Sequence, residues 1–228
     1  MSTEFFNDQW RIPSNENQNK ISNYSMEFDG TNTDIDLGTD VLFDSTKGFS
    51  VSAWINLENY NPNTFPNIVR LFTDQSDDFI LSLSNQSGYT GVFFGSPSQF
   101  AKGRTTGNIS GDFIGVWKHI CLTFNGVDRT ALSSYKIYVD GSSVALVSAS
   151  AIGAATSLNS IGDGGGSTRH FNGKIDQVTI FDYELSQAQV TTLGNSGSVV
   201  NPMALSPVPV AYYQLGDQSV DNGANFLV

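Results

Sequence analysis

Charge is scarce in this 228-residue chain, and positive charge scarcest. Only 14% of residues are charged, and 11 Lys and Arg stand against 22 Asp and Glu, for a formal net charge of −11. No Lys/Arg cluster exists to neutralise phosphates, which argues against nucleic acid as a partner. A single cysteine, Cys121, makes an intrachain disulfide impossible. No run of 18 apolar residues occurs, so no membrane-inserted helix is expected. The opening Met1–Asp8 carries an acid and lacks a basic-then-apolar pattern, so no export signal is expected. Sequons at Asn23, Asn85 and Asn108 carry no weight without a secretory route.

What is present suits short strands and many turns. Hydrophobic residues make up 39% and aromatics 12%, enough for a full core. Asp outnumbers Glu by 17 to 5, and Asp serves turns, Asx motifs and hard-cation sites. Phe49, Val51, Ala53, Ile55 and Leu57 alternate with Ser50, Ser52, Trp54 and Asn56, a period-two strand with one apolar face. Further strands are expected near 67–73, 79–84, 89–94 and 116–126. Tyr135–Gly141 and Val144–Val147 read as a hairpin around a type I′-like Asp140-Gly141 turn.

The richest segment is Phe171-Asn-Gly-Lys-Ile-Asp-Gln-Val-Thr-Ile-Phe-Asp182. Strict alternation puts Ile175, Gln177, Thr179 and Phe181 on one face, and Asp176, Val178, Ile180 and Asp182 on the other. Asp176 is then an acid inside an apolar face, costly unless paired. Ser186 precedes a short helix expected over 186–193.

These segments, taken in order, resemble the laminin-G-like (concanavalin A-like) domain family. The resemblance lies in Gly173-Lys-Ile-Asp-Gln-Val178, a Ser-Ala-Trp strand ending at Trp54, a Trp-x-His strand at 117–119, and the Tyr138-Val-Asp-Gly141 turn. Ser25–Gly38 resembles the family's opening hairpin, with its Phe28-Asp-Gly30 turn. The resemblance implies an all-β, antiparallel two-sheet jelly-roll sandwich over 21–193. An extended lead-in (1–20), a linker (194–209) and a C-terminal strand extension (210–228) flank it. The Ala211-Tyr-Tyr-Gln-Leu-Gly216 segment resembles phage-encoded chains, in which such a segment opens a further unit.

The resemblance also implies that Asp29 and Asp176 approach each other. One structural Ca²⁺ is expected there, with Gly30 or Thr31 supplying a carbonyl, since hard oxygen donors suit Ca²⁺. The competing reading is that Asp29 caps its own turn and Asp176 pairs with Lys174 or a backbone amide. In the loop Ile161–His170, Asp163, Arg169 and His170 are candidate ligand-binding residues, against a plain glycine-rich turn. Tyr60 and Tyr89, with Phe65, Phe93 and Phe100, are aromatic candidates if exposed. Thr73–Asp78 is acidic but lacks the ordered Gly and terminal Glu of an EF-hand. His119, two residues from Cys121, reads as a core histidine rather than half of a nucleophile pair, and Trp54 reads as core.

Some relatives of this fold are glycoside hydrolases, which need paired carboxylates. The five Glu (Glu4, Glu16, Glu27, Glu58 and Glu184) form no Glu-x-Asp-x-x-Glu pattern, so no catalytic residues are expected. The expected function is a non-catalytic interaction domain on a virion surface, binding glycans or a host polysaccharide and contacting neighbouring subunits in a homo-oligomer. The alternative is a secreted or cell-surface carbohydrate-binding module of a larger protein.

Overall fold

The computed structural model describes residues 24–38, 44, 46–60, 65–72, 78–86, 89–96, 100–106, 113–149, 159–163, 169–194, 199–216, 220–221 and 226–227. The lead-in 1–20, the acidic stretch 73–77, the loop residues 164–168 and the sequons at Asn23 and Asn108 lie outside them.

The strands in chain order are β1 (Met26–Asp29), β2 (Ile35–Gly38), β3 (Phe49–Leu57), β4 (Asn67–Phe72), β5 (Asp78–Gln86), β6 (Tyr89–Gly95) and β7 (Gly103–Thr105). Then come β8 (Lys118–Phe124), β9 (Tyr135–Val139), β10 (Ser142–Val144), β11 (Leu146–Ser148), β12 (Asn159–Ile161) and β13 (Asn172–Phe181). Helix α1 (Gln187–Leu193), β14 (Ala211–Tyr213) and a small pair, β15 (Val220–Asp221) with β16 (Phe226–Leu227), follow. Two antiparallel seven-stranded sheets result. The first runs β1-β13-β3-β8-β9-β10 with β14 also on β13; the second runs β11-β7-β6-β5-β4-β12-β2. This is the expected jelly-roll sandwich with one helix.

The core lies between the sheets. All five apolar residues expected on one face of β3 are in it, and Phe49 meets Phe79 of β5 edge to face at 5.3 Å. Asp140 and Gly141 both have positive φ (48° and 75°) and join β9 to β10 as the type I′ geometry requires. Helix α1 opens on Ser186, with a reciprocal capping box to Gln189.

The structure departs from the sequence-based expectations in several places. Alternation fails within β13. Asp176 pairs with Trp54 and Thr179 with Ser52, so β13 spends three residues where β3 spends two. This is a β-bulge, and Gln177 adopts φ 47° within it. The extra residue switches parity: Ile175, Val178 and Ile180 all face the core, while Thr179 and Phe181 face outward. Asp176 is therefore on the outer face of the sheet, not inside an apolar one, and its Oδ1 accepts the Gln177 N–H at 2.7 Å.

Strands β1 and β2 are not a hairpin; they belong to opposite sheets. Residues 144–147 are not one strand, because the chain crosses between sheets at Ala145, whose carbonyl accepts the Thr106 N–H. Strand β8 starts at Lys118 and leaves Val116 and Trp117 exposed.

The C-terminal strand extension joins the first sheet. Strand β14 pairs with β13 of its own sheet, and Ala211, Tyr212 and Leu215 are buried. The segment before it is a strap: Val200 and Leu205 pack against α1's apolar cluster, and Tyr183 donates a hydrogen bond to the Pro207 carbonyl. Thus 211–213 adds a strand to its own domain.

Candidate functional site

Among the described residues, one end of the outer face of the β1-β13-β3-β8 sheet is covered. There Phe181, Leu185, Val190 and Leu193 close over Cys121 and Tyr138. The C-cap Gly194 sits above His119: a Cβ on it would lie 2.7 Å from Nδ1. Beyond His119, among the described residues, an 810 Å³ groove runs across β1, β13 and β3.

Strand register builds its floor. One transverse row is Glu27–Lys174–Asn56, extended by Trp117 just before β8; the next is Asp176–Trp54–His119. Glu58 stands at the end of β3, where its N–H is donated to the Asn172 carbonyl at 2.8 Å. Gly173 makes this approach possible. Its φ is 139°, and a Cβ there would lie 2.2 Å from the Asn56 carbonyl oxygen. The rim segment is held by Phe113, whose carbonyl accepts the Leu57 N–H, and by Gly115, whose N–H is donated to the Leu57 carbonyl. That places Ile114 and Trp117 against the groove.

Trp54 is 3% exposed, but it belongs to this outer layer rather than to the inter-sheet core; its ring lies 5.4 Å from that of His119. Trp117 and Tyr24 are 39% and 68% exposed. The lining thus combines aromatic faces, the Asn56 amide, three carboxylates (Glu27, Glu58, Asp176) and one ammonium, Lys174, the only cation among its described residues.

His119 is a core histidine. Burial pushes its pKa down to about 4, against a smaller opposing pull from Asp140. Burial likewise pushes the Cys121 thiol well above its ordinary range, so it is no nucleophile.

Asp29 and Asp176 are not brought together. Asp29 is in register with Asn172, four residues from Asp176 along β13, or roughly 13 Å at strand rise. Ligands of one Ca²⁺ lie within about 2.6 Å of it, so the two carboxylates do not fit a shared ion. Asp29 Oδ1 instead accepts the N–H groups of Thr31, Asn32 and Thr33 at 2.8–3.1 Å, closing its own turn. Those bonds pull its pKa down to about 2. Gly30 is buried in this turn, its N–H donated to the Phe171 carbonyl, and Thr31 is exposed.

Asp163 and His170 do meet, Oδ1 to Nδ1 at 3.6 Å, and Arg169 holds Asn67 through its backbone carbonyl. None of the three lines the groove. Tyr60 packs against the core. Tyr89 is buried beneath the Arg104 guanidinium, 4.0 Å above its ring, with its hydroxyl 2.7 Å from Thr105 Oγ1. Phe65 packs edge-on against Phe93, and Phe100 is core. The exposed aromatics among the described residues are Tyr24 and Trp117, which sequence reasoning missed. The one signal for Trp117 was its position two residues after Gly115, at a strand start.

Comparison with known proteins agrees with this geometry. The profile of the Concanavalin A-like lectin/glucanases superfamily matches residues 29–191. A heptameric SAP-like pentraxin from Limulus polyphemus superposes with a TM-score of 0.54 at 19% identity, over 78% of this chain and 84% of that one. A proposed carbohydrate-binding protein from Bacteroides ovatus gives 0.58 at 19% identity, over 91% of this chain and 55% of that one. These likenesses establish the fold. No curated protein sequence matches the chain.

Proposed function

The chain belongs to the Concanavalin A-like lectin/glucanases superfamily, and we propose that it is a non-catalytic glycan-binding domain whose binding face is the groove across β1, β13 and β3. The observation that carries this is the meeting of exposed Trp117 and Tyr24 with Glu27, Asn56 and Asp176 in one open groove. Aromatic faces pack against the C–H faces of sugar rings, while carboxylates and amides take their hydroxyls. The Bacteroides ovatus protein of the same fold, itself proposed to bind carbohydrate, supports the same use. The missing Glu-x-Asp-x-x-Glu pattern supports the non-catalytic part.

The test is a glycan array on the full chain and on Trp117→Ala. Binding by the parent that falls at least about tenfold in the variant, with the melting temperature unchanged, is expected. A blank array overturns the proposal, and hydrolysis of a bound oligosaccharide overturns its non-catalytic part.

Display on a virion surface, in a homo-oligomer, is the finer proposal. It is supported by the resemblance of Ala211–Gly216 to phage-encoded chains. Since β14 pairs within its own sheet, the support for an oligomer reduces to Phe226–Val228, whose side chains lie outside the described residues. A monomeric mass in solution overturns the oligomer.

A further inference from the structure

We propose that the groove discriminates by charge: it takes uncharged glycans and turns away those bearing sialic or uronic acid carboxylates. This rests on the glycan-binding reading above.

Among its described residues, three carboxylates and one ammonium line the groove, a formal charge of −2, in a chain whose own net charge is −11. A carboxylate only accepts hydrogen bonds. A neutral sugar brings hydroxyl donors to it, whereas an acidic sugar brings a second acceptor and a like charge. Recognition of a sugar carboxylate needs cationic donors, most effectively the fork of an arginine. No arginine is among the described residues lining the groove. Lys174 is flanked by Glu27 on β1, its cross-strand partner, so its charge already has an opposite neighbour.

Asp176 sets the preference most strongly. It is the most buried of the three acids, on the floor beside Trp54, where water and salt screen least. Its neighbour Ile175 faces the core, so alternation turns Asp176 outward beside Trp54, and the bulge after it returns Val178 and Ile180 to the core. Glu27 and Glu58 are exposed at the rim and add a weaker, salt-sensitive repulsion.

The experiment measures the full chain against matched oligosaccharides that differ only in acid groups: asialo against sialylated chains, and oligogalactan against oligogalacturonate. The neutral member of a bound pair is expected to bind at least about tenfold more tightly at low salt, and added salt narrows the gap. Glu27→Gln with Glu58→Gln, both at exposed positions, and Asp176→Asn separately, are expected to narrow it by raising affinity for the acidic member. Equal or tighter binding of the acidic member by the parent overturns charge discrimination and leaves the glycan reading intact. So does a gap that neither salt nor the variants change. Binding of no glycan at all overturns both.

Discussion

His119 and Ser52 share a hydrogen bond of 2.7 Å between Nε2 and Oγ, on adjacent strands and out of reach of water. It joins the covered half of the sheet to the groove floor, because Trp54 packs against the same imidazole.

That burial predicts a pH dependence of stability. The folded chain holds His119 near pKa 4, below its ordinary 6.5. Between these values the unfolded chain takes up a proton that the folded chain refuses. Stability is therefore full above pH 6.5 and falls as pH drops toward 4, by on the order of 3 kcal/mol from this group. Urea unfolding at several pH values is expected to show this fall in the parent and a flatter profile in His119→Gln. Parallel profiles would refute the assignment.

Asp29 is predicted to act as a turn cap. Replacing it with alanine removes an acceptor of three backbone N–H groups and should cost about 1 kcal/mol, as for a lost helix cap. Asn, which keeps an acceptor oxygen, should recover most of that. The cap accounts for the loss without an ion, so chelator should leave the melting temperature of the parent unchanged. A chelator-sensitive melting point abolished by Asp29→Ala would restore a cation at this turn.

The bulge predicts that one deletion is tolerated. Removing Gln177 restores strict alternation and leaves Ile175, Val178 and Ile180 on the core face, with Val178 brought opposite Ala53. A soluble, cooperative fold is expected from that chain. Gln177→Ala, which keeps the bulge and loses the 3.0 Å bond from Nε2 to Tyr212 Oη, should cost only about 1 kcal/mol. An insoluble or non-cooperative chain on removal of Gln177 would contradict the register.

This bulge also marks how far the sequence could be read. Strand β3 was legible because its five apolar positions face a single core and nothing interrupts the pleat. The Asp140-Gly141 turn and the Ser186 cap were legible because their chemistry is local. The same period-two logic failed on β13, since one unpaired residue inverts every face that follows it. The groove was less legible still. Glu27, Lys174, Asn56 and Trp117 are neighbours only through lateral register among four strands distant in sequence, and no local pattern records that register. Tyr89 misled for a related reason: its partner Arg104 lies on a different strand.

Cys121 is predicted to be unreactive. It is fully buried on β8, and burial keeps its thiol protonated. A thiol reagent at neutral pH should leave the folded chain unmodified and label one site after denaturation. Rapid labelling of the native chain would show that α1 opens from the sheet.

The tail is predicted to be part of the folding unit. A chain ending at 198 loses Tyr212 and Leu215, both almost wholly buried, along with Ala211 and the pairing of β14 to β13. Each large buried side chain is worth about 1.5–3 kcal/mol. The loss also uncovers core residues such as Val178, which pairs with Tyr213. Against a total stability of about 5–15 kcal/mol for an ordinary domain, that removes a large fraction. The chain ending at 198 should therefore unfold without a cooperative transition, while one ending at 216, which keeps every contact named here, should melt close to the parent. A stable cooperative fold from the shorter chain would return 199–216 to the status of a linker and accessory strand, and would free the edge of β13 for a partner.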